Sequence, residues 1–103
     1  MASTLRLILL ENANDGIGEA FKWYSSGAGT LQVFGVWDGA TVTLQGRSSD
    51  ANEWTSLSSG GEFTEDYLTW FEAGQIEIRA VISGGGGFTS LTLYLTPTSR
   101  GLS

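Results

Sequence analysis

The sequence predicts an all-β protein: an antiparallel β-sandwich, jelly-roll-like or a small barrel, of about seven to eight short strands. Three observations carry this. Apolar residues alternate with period two in several separate runs, the pattern of strands with one buried face. Fifteen glycines and one proline punctuate the 103 residues, so tight turns recur at roughly 8–12-residue spacing. No stretch reads convincingly as a helix; only Glu62 to Glu72 would also admit a short one.

The strongest stretch is Gly29 to Arg47, GTLQVFGVWDGATVTLQGR. Asp38-Gly39 lies between two alternating runs, and such a dipeptide supplies the positive φ angles of a type I′ turn. A two-residue hairpin would set Trp37 opposite Ala40, Gly35 opposite Val42, Val33 opposite Leu44 and Leu31 opposite Gly46. The other face would pair Val36 with Thr41, Phe34 with Thr43 and Gln32 with Gln45. Register and apolar pattern agree, and a one-residue slip would destroy that agreement.

The remaining elements follow in order. Thr4 to Glu11 is the first strand, with Leu5, Leu7 and Leu9 on one face and Arg6, Ile8 and Leu10 on the other. Asn12 to Glu19 is a loop by composition. Ala20 to Tyr24 is a short strand that turns through Ser25 to Gly29. After a polar turn at 48–52, Glu53 to Leu57 is a short strand carrying Trp54. Ser58 to Gly61 turns again. Glu62 to Glu72 holds one or two short strands, because threonine and aromatics favour the extended state. Gln75 to Ser83 points Ile76, Ile78, Ala80 and Ile82 one way and Glu77, Arg79 and Val81 the other. Phe88 to Thr96 sets Leu91, Leu93 and Leu95 against Thr92, Tyr94 and Thr96. A second hairpin through Gly84 to Gly87 would oppose Ile82 to Thr89, Ala80 to Leu91, Ile78 to Leu93 and Ile76 to Leu95. Pro97 ends that ladder, having no N–H to donate. Residues 1–103 read as one domain, with 97–103 as a short polar tail.

Composition narrows the chemistry. The net charge is −6, and the five basic residues (Arg6, Lys22, Arg47, Arg79, Arg100) are scattered, which argues against nucleic acid as a partner. The run MASTLRLILLE is too short to span a membrane and lacks a cleavage site after it. There is no histidine and no cysteine, which excludes Ser–His and Cys–His nucleophile pairs, disulfides and thiolate metal sites. The remaining enzymatic arrangement is a carboxylate pair from Asp50, Glu53, Glu62, Glu65, Asp66 and Glu72. The expectation is that the chain is not an enzyme. Asp15, Asp38 and Asp50 lie in loops without the spacing of a calcium loop. The glycines 84–87 lack a P-loop lysine. No cofactor or metal is expected.

Two surface readings remain. Ile8, Leu10, Phe34, Val36 and Val81 fall out of phase with the inferred core faces. Contiguous exposed apolar residues mark protein interfaces, so these five are the candidate interface. Trp54, Trp70 and Tyr94 are candidate platforms for stacking on sugar rings, the alternative reading. Trp23 and Trp37 fall in phase with the core.

The stretches VWDGATVTLQGRSSDANEWTSL (36–57) and AGQIEIRAVISGGGGFTSLTLYL (73–95) resemble small β-sandwich virion proteins of tailed bacteriophages. Trp37, Asp38, Gly39, Ser49, Asp50, Trp54, Thr55, Gly74, Arg79, Val81 and Gly84 to Gly87 carry the resemblance, over about half the chain. It implies a structural role in the virion. The leading expectation is a capsid decoration or cement protein that self-associates, commonly as a homotrimer, and contacts the major capsid protein or other virion proteins. A tail or fibre component is the runner-up.

Overall fold

A computed structural model describes residues 6–23, 27–48, 51–57, 61–74 and 76–97. Leu5, Tyr24, the serine turns at 25–26 and 58–59, Ser49, Asp50, Gln75 and the tail 98–103 lie outside the described residues. Among the described residues ten strands follow one another: β1 (Leu7–Ala13), β2 (Gly16–Ile17), β3 (Phe21–Trp23), β4 (Ala28–Val36), β5 (Thr41–Ser48), β6 (Thr55–Ser56), β7 (Glu62–Phe63), β8 (Tyr67–Glu72), β9 (Ile76–Ser83) and β10 (Ser90–Pro97). One sheet has the order β1-β10-β4-β8. The other centres on β9 and β5. There β2 and β3 take successive stretches of β9, and β6 and β7 successive stretches of β5. The ten strands therefore fill eight positions, four per sheet, all antiparallel.

Both expected hairpins are corrected. β4 pairs with β10 and β8, whereas β5 pairs with β9, β6 and β7. The Asp38-Gly39 turn does form. Both residues have positive φ (46° and 83°), and the Ala40 N–H donates to the Trp37 carbonyl at 2.8 Å. The two strands nonetheless enter different sheets, so the connection is an arch across the core. Gly35 helps it bend: its φ is 139°, and a Cβ there would collide with the Ser90 carbonyl oxygen. The glycine run likewise carries β9 into β10 across the sandwich. The two arches pack side by side, β4 on β10 and β5 on β9. Six connections cross between sheets (β1–β2, β3–β4, β4–β5, β7–β8, β8–β9 and β9–β10), which with the strand orders is the connectivity of a jelly roll.

The apolar faces assigned by alternation fill the interior. Leu31, Val33, Val42, Leu44, Ile78, Ala80, Ile82, Leu91, Leu93 and Leu95 are all buried. Trp23 joins them and meets Phe71 edge-on at 5.4 Å. Burial of each large aliphatic contributes about 1.5–3 kcal/mol, so this set dominates the stability. Trp37 packs half-buried against the cluster.

The first strand departs from simple alternation. Its ladder to β10 pairs Ile8 with Tyr94 and Leu10 with Leu93, so an extra residue is inserted between them. This bulge turns both Leu9 and Leu10 inward, leaving Leu10 only 4% exposed. Leu10 is thus a core residue and not the surface residue that alternation suggested. Gly16 and Ile17, within the expected loop, instead form a stub on β9. Trp54 precedes, rather than occupies, the two-residue β6.

Candidate functional site

The outward face of the β1-β10-β4-β8 sheet gathers residues from both candidate surface sets. Register places Ile8, Tyr94, Gln32 and Leu68 in one row across the four strands. The next rows hold Thr96, Thr30 and Trp70 on one side, and Thr92 with Phe34 on the other. Ser90 and Val36 follow. The two central strands, AGTLQVFGV and SLTLYLTP, carry no charged residue. Ile8, Val36, Leu68 and Trp70 are 38%, 53%, 66% and 64% exposed. Phe34 and Tyr94 are half-buried against each other, edge to face at 5.7 Å. The Arg6 guanidinium lies 4.4 Å above the Tyr94 ring. Of the candidate interface set, Ile8, Phe34 and Val36 share this face. Leu10 is inside, and Val81 lies on the opposite sheet beside Ile17 and Thr43.

Leu68 was missed because 62–72 was read without a phase. The alternation of Leu68, Trp70 and Glu72 against Tyr67, Thr69 and Phe71 was the available signal. Phe71 is buried and pairs with Gly29 on the inward side.

The outer face of the β9–β5 sheet differs in kind. Arg47 Nε donates to Glu77 Oε1 at 2.7 Å, and Arg79 Nε donates to Gln45 Oε1 at 2.8 Å. Both guanidinium groups also rest on the Trp54 ring, 4.6 and 4.3 Å from its centroid. Trp54 is therefore covered by cations, whereas the Trp70 indole is open to solvent.

Four of the crossing connections, β1–β2, β4–β5, β7–β8 and β9–β10, meet at one pole. Asn14 Nδ2 donates to the carbonyls of Gly86 and Thr89 at 3.3 and 3.0 Å. The Phe88 N–H donates to Asp38 Oδ2 at 3.0 Å, and Thr89 Oγ1 donates to the Trp37 carbonyl at 3.1 Å. Asp66 Oδ1 accepts from Trp37 Nε1 at 2.8 Å and from the Gly35 N–H at 3.2 Å. Asp38 and Asp66 thus tie arches together. A Cβ at Gly86 would strike Asp38 Oδ2, so a larger residue there would displace the carboxylate that holds the Phe88 N–H. Phe88, 82% exposed, stands on this braced loop. Among the described residues, no group of three or more acidic side chains is arranged to hold a metal ion.

Comparison with family models, with curated proteins and with solved structures finds no match for this chain.

Proposed function

We propose that the chain is a structural virion protein of a tailed phage, a capsid decoration protein that stabilises a shell through protein–protein contacts. The carrying observation is the apolar, partly aromatic outer face of the β1-β10-β4-β8 sheet, whose two central strands carry no charged residue. Ile8, Phe34, Val36, Leu68, Trp70 and Tyr94 present apolar area there that a partner would cover. The resemblance carried by Trp37-Asp38-Gly39, Trp54 and Gly84 to Gly87 supports the virion setting. Function on this reading is mechanical: a stiff sandwich buries one face against copies of itself and against capsid subunits. Co-sedimentation with undecorated shells tests it. The native chain should pellet with shells, and Phe34→Asp should stay in the supernatant while keeping its β-type circular dichroism. Equal pelleting of both would refute this face.

The open indole of Trp70 favours a second reading, a carbohydrate- or receptor-binding module within a tail or fibre. It predicts that oligosaccharides shift the tryptophan fluorescence and that Trp70→Ala abolishes the shift. A glycan screen without hits removes it.

A further inference from the structure

The hydrogen-bond phase of β8 identifies an open sheet edge. The Ala73 N–H donates to the Gly27 carbonyl at 2.8 Å, one step beyond the Ala28–Glu72 register pair. Hydrogen-bonded pairs alternate along an antiparallel ladder. Gly29–Phe71, Leu31–Thr69 and Val33–Tyr67 are therefore the bonded pairs. Leu68, Trp70 and Glu72 turn their N–H and C=O groups away from β4, where the sheet order places no further strand.

The other margins of the sandwich are blunted, as natural sheets blunt their edges. β1 is broken by two register shifts, and its Asn12 has a φ of 48°. In the second sheet the margins are stubs of two or three residues. β8 is six residues long, unbroken in register against β4, and bears the exposed Leu68 and Trp70.

The geometry points to a second copy of this chain as the occupant of that edge, through a two-fold axis at Thr69. In this register Leu68 of each copy exchanges backbone hydrogen bonds with Trp70 of the other. Each exposed apolar side chain then lies beside its counterpart on the same outer face. The edge is self-complementary because its outward groups are spaced two residues apart about Thr69. Two four-stranded sheets become one of eight, and their apolar outer faces become continuous. The contact covers roughly 300 Å² of apolar surface per copy, given the area an aromatic buries. That falls short of a standard stable interface, so the pair is a weak dimer in dilute solution and gains strength in a larger assembly. Residue 66 of one copy lies opposite Glu72 of the other; the Asp66 carboxylate is held towards β4 by Trp37 Nε1 and the Gly35 N–H, and the like charges still keep the pairing weak.

This pairing deepens the assembly reading and rests on it. Sedimentation of the full chain from about 10 μM to about 1 mM should show the mass rising from 11.0 kDa towards twice that value, a range in which a weak dimer fills. Leu68→Pro removes an N–H that points away from β4, so the fold should persist, with unchanged circular dichroism, while the dimer is lost. Glu72→Lys, set opposite Asp66 of the second copy, should tighten association about tenfold. A chain monomeric throughout, a trimer, a folded Leu68→Pro that still dimerises, or an extended segment of another protein on the edge instead would each overturn the two-fold pairing. A monomer that still pellets with shells would overturn the pairing while leaving the decoration reading intact.

Discussion

Asp66 and Leu10 show how a residue's surroundings redefine what its type suggests. Asp66 belonged to the acidic set available for catalysis, yet one oxygen of it holds both the Trp37 indole and the Gly35 amide. Charged hydrogen bonds of this sort contribute about 1.5–3 kcal/mol each before solvent exposure reduces them. Asp66→Ala should lower stability by about 1–2 kcal/mol in a denaturant melt, and Asp66→Asn by less, since the amide keeps an acceptor. Leu10 alternates as a surface residue, but the bulge before it directs it inward. Leu10→Ala should cost about 2–4 kcal/mol, against less than about 1 kcal/mol for Ile8→Ala on the exposed face. Equal costs would mean that the bulge is misplaced. Trp54 was legible as an aromatic and illegible as an occupied one, because Arg47 and Arg79 come to it from two different strands.

At the scale of elements, alternation in sequence specifies which side chains face inward but not which strand lies alongside. A hairpin folded flat and an arch folded across the core both bring two apolar faces together. That is why Val33 and Leu44 agree equally well with either. The turn chemistry of Asp38-Gly39 was readable and correct; the path of the strands beyond it depends on β10 and β9, distant in sequence. Engineered cysteines separate the two arrangements cleanly in a chain with none of its own. Thr43 pairs with Val81 in the arch, so Thr43→Cys with Val81→Cys should form a disulfide under mild oxidation. Thr43→Cys with Phe34→Cys, partners in the hairpin alone, should remain thiols. The reverse outcome would restore the hairpin. The fold class and most of the core were thus legible. The pairing and the crossings were not, since both rest on contacts between distant segments.

For the whole molecule, the two outer faces divide the labour. On the β9–β5 face Arg47, Glu77, Gln45, Arg79 and Trp54 are engaged with one another, and only Ile17 stands out as a large exposed apolar side chain among its described residues. The β1-β10-β4-β8 face leaves apolar side chains in water around two central strands that carry no charge. Parts of that face could be read in advance from Ile8, Phe34 and Val36, whereas its continuity with Trp70, Tyr94 and Leu68 needed the register. Light scattering on the native chain and on Trp70→Asp, a position on both this face and the β8 edge, at matched high concentration, is the most direct test. The native mass should lie above the 11.0 kDa monomer, and the variant should be a folded, smaller species. A native chain that stays monomeric, or a variant with the native mass, would contradict the claim that this face drives self-association.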